Sequence, residues 1–189
     1  MDNQELQKVV RENLRTVKKE KKKKQTAKTW TQTIIDILEP VVIVFIILRF
    51  IVGVSPLYGS SMEPTLYEGD WVVYNRLDKN LERGDIVIAE KPEDDILIIK
   101  RVIGVPGDTV DIKDNVVYVN GEVLPEDYTL GETVLHDVTF PQTLGENEYF
   151  VLGDHRDVSL DSRSSKTGNV NKSHILGKMI SFFRTKPKH

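Results

Sequence analysis

The chain has 189 residues, of which 39% are hydrophobic and 29% are charged, a composition typical of a globular domain with a short appendage. It contains no cysteine, which excludes a disulfide scaffold and a cysteine-ligated metal site. It also lacks the several apolar stretches of about 20 residues that a multi-span transporter needs. The net charge of −3 is unevenly divided: residues 1–30 carry ten basic and four acidic residues, whereas the remainder carries 16 basic and 25 acidic ones.

The N-terminal part combines a basic run with an apolar segment. Seven lysines lie within residues 18–28, and such a run can bind nucleic acid, lie on an anionic membrane face or stay solvated. The predominantly apolar segment 34–54 follows, which fits the preference for positive charge on the cytoplasmic side of a membrane span. Trp30 and Tyr58 would lie about 42 Å apart in a helix, close to the thickness of a bilayer with an aromatic side chain at each interface. A buried core helix is the alternative interpretation.

These features predict three parts of the chain. Residues 1–33 are predicted to be a cytoplasmic basic segment, residues 34–54 a transmembrane helix, and residues 55–189 an extracytoplasmic domain. The predicted location is therefore the cell membrane, with a single span and the N-terminus in the cytoplasm. A cleaved signal peptide fits less well, because the leading region is too long and no A-x-A site follows the apolar run.

Beyond Tyr58 the sequence predicts short strands separated by turns. Asn120-Gly121 is a strong hairpin signal, and Asp114-Asn115 predicts a second turn just before it. The less regular and acidic stretch 121–147 predicts an exposed insertion. The predicted fold class is mainly β, an antiparallel sheet or barrel-like domain behind one transmembrane helix. Runs rich in Val and Ile predict strands over residues 71–76, 85–89, 96–105, 116–119, 148–152 and 175–183.

A serine and a lysine are the candidate reactive residues. Ser61 lies in a serine-containing block just after the apolar segment, for which a polar turn is the alternative interpretation. A serine hydroxyl is a weak nucleophile that needs a base nearby, and the four histidines show no triad spacing. A lysine can act as that base only when it is neutral, which burial in an apolar setting favours. Lys100 follows the apolar run Ile96–Ile99; the alternative is a strand-edge lysine that reaches solvent.

A third block, Gly153–Arg163, is dense in small polar and charged residues. Taken alone, it predicts a charged surface loop held by Asp–Arg pairs, whose forked hydrogen bonds give fixed geometry. A serine held in such a loop could also orient a lysine by hydrogen bonding.

Taken together, these blocks resemble the bacterial type I signal peptidases, which are membrane-bound Ser/Lys endopeptidases. Their order behind one apolar segment makes the resemblance specific, and the small size is similar to the Gram-positive form of the family. The resembling blocks are Ser61–Leu66 preceded by Gly59, Gly69-Asp70, Arg83–Val87, Lys100–Gly104 followed by Pro106–Asp108, and Gly153–Arg163 followed by Gly168.

The resemblance implies a role for each matching residue at the reacting centre. Ser61 matches the nucleophile, Lys100 the general base, and Ser159 the serine that hydrogen-bonds the lysine. The backbone N–H of Ser61 matches one donor of the oxyanion hole. Gly59 stands where other members carry a serine hydroxyl, which leaves the second donor open.

The resemblance also implies a scaffold behind the reacting residues. Asp161 and Arg163 match a structural ion pair, and Arg101 and Asp154 are expected to join that scaffold. His155 stands where the family commonly has Asn, and we interpret it as a local change of scaffold rather than a new base.

The substrate is expected to bind as an extended segment near the nucleophile. The residues predicted to contact it are Gly59, Met62, Ile98 and Ile99, with core packing as the alternative for Met62. The small residues that precede cleavage sites in secretory signal peptides imply shallow apolar pockets. Lysine chemistry of this kind needs no cofactor and no metal.

The predicted function is removal of N-terminal signal peptides from secreted preproteins by a membrane-anchored Ser/Lys endopeptidase. The expected partners are preprotein signal peptides, the lipid bilayer and the secretion translocon, with no nucleic acid. The main alternative is a non-catalytic membrane-anchored chaperone or assembly factor on the same fold. A self-cleaving Ser/Lys repressor would need a DNA-binding helical domain, and a nucleic-acid binder would not carry an acidic excess over most of its chain.

Overall fold

The computed structural model describes residues 3–91 and 96–184. The chain divides into two compact units, one up to residue 47 and one from residue 48 onward. The elements, in chain order, are α1 (Asn3–Ile46), a π-helical turn (Ile47–Ile51), β1 (Val52–Pro56), β2 (Trp71–Asn75), β3 (Ile86–Lys91), β4 (Ile96–Gly104), β5 (Thr109–Lys113), β6 (Val116–Val119), β7 (Glu122–Val123), β8 (Gln142–Thr143), β9 (Glu148–Leu152), β10 (Val170–Asn171), a 3₁₀ turn (Lys172–His174) and β11 (Ile175–Phe183).

The first unit consists of the long helix α1. Its first half is rich in Lys, Glu, Gln and Leu, which have high helix propensity, so α1 begins well before the boundary predicted at residue 33. Pro40 lies within the helix, and the apolar side chains that follow Ile34 are exposed. No helix in the described ranges 3–91 and 96–184 is long and apolar enough to cross a membrane, so the transmembrane helix predicted over residues 34–54 is not confirmed.

The helical conformation also ends earlier than the predicted residue 54. Helical backbone ends at Ile51, and the next three residues belong to β1, where Val54 pairs with Val73 of β2. A glycine allows this pairing, because a Cβ at Gly53 would lie 2.1 Å from the ring of Tyr74. An apolar run that ends a helix and one that begins a strand have the same composition, so the boundary depends on this tertiary contact.

The second unit consists of two antiparallel sheets. A seven-stranded sheet has the order β1-β2-β11-β3-β4-β9-β10, and a four-stranded sheet has the order β7-β6-β5-β8. Every pairing between these strands is antiparallel. The prediction of a mainly β, antiparallel fold is therefore confirmed, and each of the six predicted strand runs corresponds to a strand.

Two tight turns shape the smaller sheet as the sequence predicts. Asp114 and Asn115 have φ angles of 51° and 63° between β5 and β6, and Asn120 has a φ of 55° between β6 and β7. Asn and Asp tolerate this left-handed conformation better than other residues with side chains, which makes them strong hairpin signals.

Buried apolar side chains form a core on both faces of the larger sheet. Alternate residues of β3 supply both faces: Ile86 and Ile88 belong to one cluster, whereas Val87 and Ala89 belong to another. A third cluster joins the two sheets through Phe150 of β9 and the apolar residues of β5 and β6. This packing fixes β4 between β3 and β9, and β4 carries Lys100.

The acidic insertion predicted over residues 121–147 is only partly exposed. It contains β7 and β8, which pair with β6 and β5. Thr133 and Leu144 are buried, with 5% and 3% of their surface exposed. The prediction of an exposed insertion is correct for most of the segment and wrong for these two residues. Leu144 packs in the apolar cluster that joins the two sheets, and Thr133 accepts a hydrogen bond from the buried Arg156.

Candidate active site

Ser61 lies in a rigid turn between β1 and β2. The backbone N–H of Leu66 donates to the carbonyl of Met62, so a helical turn follows Ser61, and both side chains are completely buried. Two backbone bonds between Leu57 and the Gly69-Asp70 segment close the base of the loop. Burial of both apolar side chains and closure of the loop fix the position of the Ser61 hydroxyl.

Lys100 lies next to this hydroxyl. Its Nζ is 2.7 Å from Ser61 Oγ, within hydrogen-bond distance, and only 5% of the residue is exposed. Burial lowers the pKa of Lys100 to about 8; the carboxylates of Asp161 and Asp154 oppose this change, and Arg163 adds to it. At a pKa of about 8, roughly one lysine in ten is neutral at pH 7, compared with about one in 2,500 at the ordinary value.

A cleft of about 530 Å³ opens beside these two residues. It lies between the end of β1 and the start of β4, where Ile96 and Leu97 leave about half of their surface exposed. The walls are apolar apart from the reacting residues and one serine hydroxyl. The lining residues are Ser55, Pro56, Leu57, Tyr58, Ser61, Ile96, Leu97, Ile98, Ile99 and Lys100.

The start of β4 offers a free strand edge in this cleft. Residues 96–101 pair with β3 on one side. On the other side β9 pairs only with Arg101, Val102 and Gly104, and no other strand of the described residues pairs there. The backbone at Ile98 can therefore accept an extended peptide as an added strand.

The four residues predicted to contact substrate have different positions. Ile98 and Ile99 line the cleft, as expected. The side chain of Met62 is completely buried in the core with Leu66 and Val72, so its predicted contact with substrate is wrong and core packing is correct. Gly59 does not line the cleft; its φ of 78° provides the left-handed turn that leads into Ser61.

An ion pair connects the two segments that carry Ser61 and Lys100. Arg101 donates to both carboxylate oxygens of Asp154, at 2.8 and 2.6 Å, in the forked arrangement typical of strong Arg–carboxylate pairs. Thr65, four residues after Ser61, also donates to Asp154. Because Arg101 adjoins Lys100 in the chain, these bonds connect β4, which carries Lys100, to the loop that carries Ser61.

A second ion pair lies behind the site. Arg163 donates to the carboxylate of Asp161 at 2.8 and 2.9 Å, and both side chains are completely buried. Burial alone raises the pKa of Asp161, but the hydrogen bonds and charge of Arg163 outweigh it and lower that pKa. Arg163 also donates to the carbonyls of Val134 and Arg156, so each of its three guanidinium nitrogens makes at least one hydrogen bond.

The predicted hydrogen bond between Ser159 and Lys100 is absent. Ser159 is buried, and its hydroxyl makes no hydrogen bond with Lys100, which bonds to Ser61 instead. The hydroxyl lies on the side of Asp161, where it helps to lower the pKa of that carboxyl. It packs against Gly153: a Cβ at that glycine would lie 2.2 Å from Ser159 Oγ and 2.4 Å from the carbonyl oxygen of Ser61. The absence of a side chain at Gly153 therefore leaves room for both groups, and the resemblance could not show which way the hydroxyl points.

His155 has the scaffold position that the sequence predicts. Its backbone N–H donates to the Ser61 carbonyl at 3.1 Å. Its Nδ1 lies 3.9 Å from the Glu63 carboxylate, and neither ring nitrogen bonds to Ser61 or Lys100 among the described contacts.

Sequence reasoning missed a buried network around Arg156. The guanidinium of Arg156 is completely buried and donates to Glu126, at 3.0 Å for its Nη1, and to Thr133 at 2.7 Å. Tyr128 donates to Glu126 at 3.0 Å. A basic residue inside a short polar block gives no signal of burial, and its partners Glu126 and Thr133 lie 30 and 23 residues away in the acidic insertion.

We expect Arg163→Ala to destabilise the fold more than it changes the chemistry. The variant would leave the completely buried Asp161 carboxylate without its partner, which costs about 3–5 kcal/mol of the free energy of unfolding. Arg83→Ala is the matched control, because its pair with Asp108 is 39% exposed on the arginine side and should contribute about 1 kcal/mol or less. Urea unfolding of both variants measures the difference. Unchanged stability with lost activity in Arg163→Ala would contradict this expectation.

Comparison with known proteins identifies the family. The family described as "Signal peptidase, peptidase S26" matches residues 8–183. The chain is 35% identical over 174 residues to Signal peptidase I of Bacillus licheniformis, covering 86% of this chain and 91% of the relative. It is 37% identical over 167 residues to Signal peptidase IB of Staphylococcus aureus, covering 77% and 85%. The match with a crystal structure of a signal peptidase I from Enterococcus faecalis V583 is 33% identical and covers 53% of this chain and 97% of that chain, with a TM-score of 0.46.

The chain therefore belongs to the signal peptidase family, peptidase S26. Within that family its relatives are the type I signal peptidases of Gram-positive bacteria, so it is an enzyme of the serine endopeptidase class.

Proposed function

We propose that this chain removes N-terminal signal peptides from exported preproteins, with Ser61 as the nucleophile and Lys100 as the general base. One observation carries the proposal: the Lys100 amine is 2.7 Å from the Ser61 hydroxyl, at a position that is 5% exposed. Burial lowers its pKa to about 8, so a useful fraction of the amine is neutral near pH 7. A neutral amine in contact with a hydroxyl can take its proton.

In the first half of the proposed reaction, an acyl-enzyme forms. Neutral Lys100 takes the proton of the Ser61 hydroxyl while Oγ bonds to the scissile carbonyl carbon. The negative charge that develops on the carbonyl oxygen is stabilised by the backbone N–H of Ser61, and a donor of this kind contributes about 3–4 kcal/mol. The second donor position, where Gly59 stands without a hydroxyl, stays open. The charged Lys100 then gives its proton to the leaving amine as the C–N bond breaks.

In the second half, water hydrolyses the acyl-enzyme. Neutral Lys100 takes a proton from a water molecule, whose oxygen bonds to the acyl carbon, and then returns the proton to Ser61 Oγ as the ester bond breaks. Both halves use the same amine alternately as base and acid, so no cofactor or metal enters the scheme.

The cleft supports an extended apolar substrate. Its walls are mostly apolar, and the free edge of β4 at Ile98 can hydrogen-bond a peptide backbone. Ile98 and Ile99 would contact the side chains that precede the cleaved bond. A signal peptide, with small residues before its cleavage site, suits such a cleft.

Membrane anchoring is a further part of the proposal. Apolar side chains along α1 and the π-helical turn are exposed, including Ile37, Phe45 and Leu48, each with more than half of its surface accessible. A lipid bilayer would cover such a surface, and the preceding lysines favour the cytoplasmic side for the N-terminus. This would place the β unit outside the membrane, where the secretion translocon delivers preproteins.

Cleavage of one preprotein by the purified full chain tests the proposed function. The chain would be assayed in detergent and in phospholipid vesicles, and N-terminal sequencing of the product would locate the cut. We expect a single cut after the signal peptide. The alternative, a non-catalytic chaperone, predicts that the preprotein binds and stays intact.

We expect the cleavage rate to rise with pH and to level off above about pH 8. Lys100 acts as a base only when neutral, and protonation removes that form as the pH falls through its pKa of about 8. The neutral fraction falls from about one in ten at pH 7 to about one in a hundred at pH 6. A profile of kcat/KM between pH 5.5 and 9.5 measures this pKa in the free enzyme. A limb near pH 6.5 would indicate a histidine base and contradict the assignment.

A further inference from the structure

Part of the acidic insertion contacts the scaffold on which both reacting residues depend. The backbone N–H of Leu130 donates to the carbonyl of Asp154 at 2.8 Å, and that of Arg156 donates to the carbonyl of Leu130 at 2.7 Å. The insertion therefore lies against residues 154–156 along its backbone. Glu126 adds a side-chain contact, because its carboxylate holds the buried guanidinium of Arg156 with both oxygens.

One route leads from Glu126 to Ser61. Arg156 is held by Glu126 and donates through its Nε to the carbonyl of Gly153 at 2.9 Å. His155, the residue before Arg156, donates its backbone N–H to the carbonyl of Ser61 at 3.1 Å. A shift of Arg156 would therefore move the peptide that holds the nucleophile's own backbone.

A second route leads from Glu126 to the strand of Lys100. Tyr128 donates to Glu126 at 3.0 Å, and the guanidinium of Arg101 lies 4.1 Å from the centre of the Tyr128 ring. A guanidinium over an aromatic ring face is held there by the ring's electrostatic attraction for a cation. Arg101 adjoins Lys100 and pairs with Asp154. Glu126 is thus connected to both reacting residues by two separate series of contacts. The only side chain common to both is that of Glu126.

We propose that Glu126 is a positioning residue for peptide-bond cleavage, which holds the Ser61 carbonyl through Arg156 and the Lys100 strand through Tyr128 and Arg101. The inference rests on the proposed function and adds the acidic insertion to its machinery. Glu126 touches neither the hydroxyl nor the amine, so it acts through these neighbours. Small displacements at a reacting centre are costly, because a shift of about 1 Å can slow a reaction about 100-fold.

The test compares Glu126→Gln with Glu122→Gln in the full chain. Glutamine keeps the size of the side chain and removes its charge, and Glu122 is an exposed acid of the same insertion. For Glu126→Gln we expect kcat to fall about 10- to 100-fold with KM within about twofold, after correction for the folded fraction at the assay temperature. For Glu122→Gln both constants should be unchanged. A wild-type kcat in Glu126→Gln, or a loss fully explained by unfolding, would overturn the inference.

Hydrogen exchange of single amides gives a readout that does not depend on cleavage. In Glu126→Gln the His155 amide should exchange at least about tenfold faster, whereas the Val102 amide, which donates to the Asp85 carbonyl in the core, should keep its rate. Equal acceleration of both amides would indicate general destabilisation and overturn the inference. If the wild-type chain cleaves no preprotein, the proposed function fails, and the His155 amide alone decides whether Glu126 positions this peptide.

Discussion

Ser61→Ala is expected to reduce preprotein cleavage by at least about 10⁴-fold, the loss seen when the nucleophile of a serine hydrolase is removed. The hydroxyl in contact with the Lys100 amine supplies the oxygen for the acyl-enzyme, and alanine offers no replacement. The fold should be retained, because the turn depends on the buried side chains of Met62 and Leu66 rather than on this hydroxyl. The measurement is kcat on one preprotein, together with a thermal melt of each protein.

Ser60→Ala is the matched control, since it removes the hydroxyl of the neighbouring serine in the same turn. Its activity should stay within a few-fold of that of the wild type. Incubation of the wild-type chain with a serine acylating reagent should label Ser61, and the label should be absent from Ser61→Ala. Retained cleavage by Ser61→Ala would refute the nucleophile assignment, whatever the control shows.

Lys100→Met is expected to reduce cleavage by about 10³-fold or more, because general-base catalysis contributes about 10²–10⁴-fold and no second amine contacts Ser61 among the described residues. Methionine approximates the length and apolar stem of lysine, so the packing around β4 should be kept. Lys113→Met, at an exposed position on the smaller sheet, is the control and should have wild-type activity.

Lys100→Met should also change how the free energy of unfolding depends on pH. The folded pKa of Lys100 is about 8, below the ordinary lysine value of 10.5, so between these values the unfolded chain binds more protons than the folded chain. Stability therefore rises with pH across that window, and below pH 8 the folded chain carries the full cost of a buried amine, about 3 kcal/mol. Lys100→Met removes this cost, so urea unfolding at pH 7 should show a variant at least as stable as the wild type. A variant much less stable than the wild type at pH 7 would contradict the view that Lys100 is buried for chemistry rather than for stability.

Part of the site could be predicted from local sequence, because the burial of a lysine and the position of a tight turn depend on the neighbouring residues in the chain. An unbroken apolar run before Lys100 indicates burial, and burial is what lowers the pKa of an amine. Asn120 and Asp114 indicate tight turns because their side chains tolerate positive φ. The ordered blocks around Ser61 and Arg163 carry the family resemblance, and the family is confirmed.

Other features depend on contacts between distant residues. The orientation of the Ser159 hydroxyl follows from its packing against Gly153, and the burial of Met62 follows from the core that closes over it. The end of the helical segment depends on the close approach of Gly53 to Tyr74. Each of these features depends on how side chains from distant parts of the chain pack together, which cannot be read from the order of residues.

Short segments of the chain identify the residues that could react, since an amine in an apolar strand and a serine in a tight turn are local properties. Folding of the whole chain brings the amine and the hydroxyl to within 2.7 Å of each other, and it places Glu126 and Tyr128 of the acidic insertion against Arg156 and Arg101. The physical reason is range: burial and turn preference act over a few residues, whereas a hydrogen bond between residues 61 and 100 exists only after the sheet has brought its strands together.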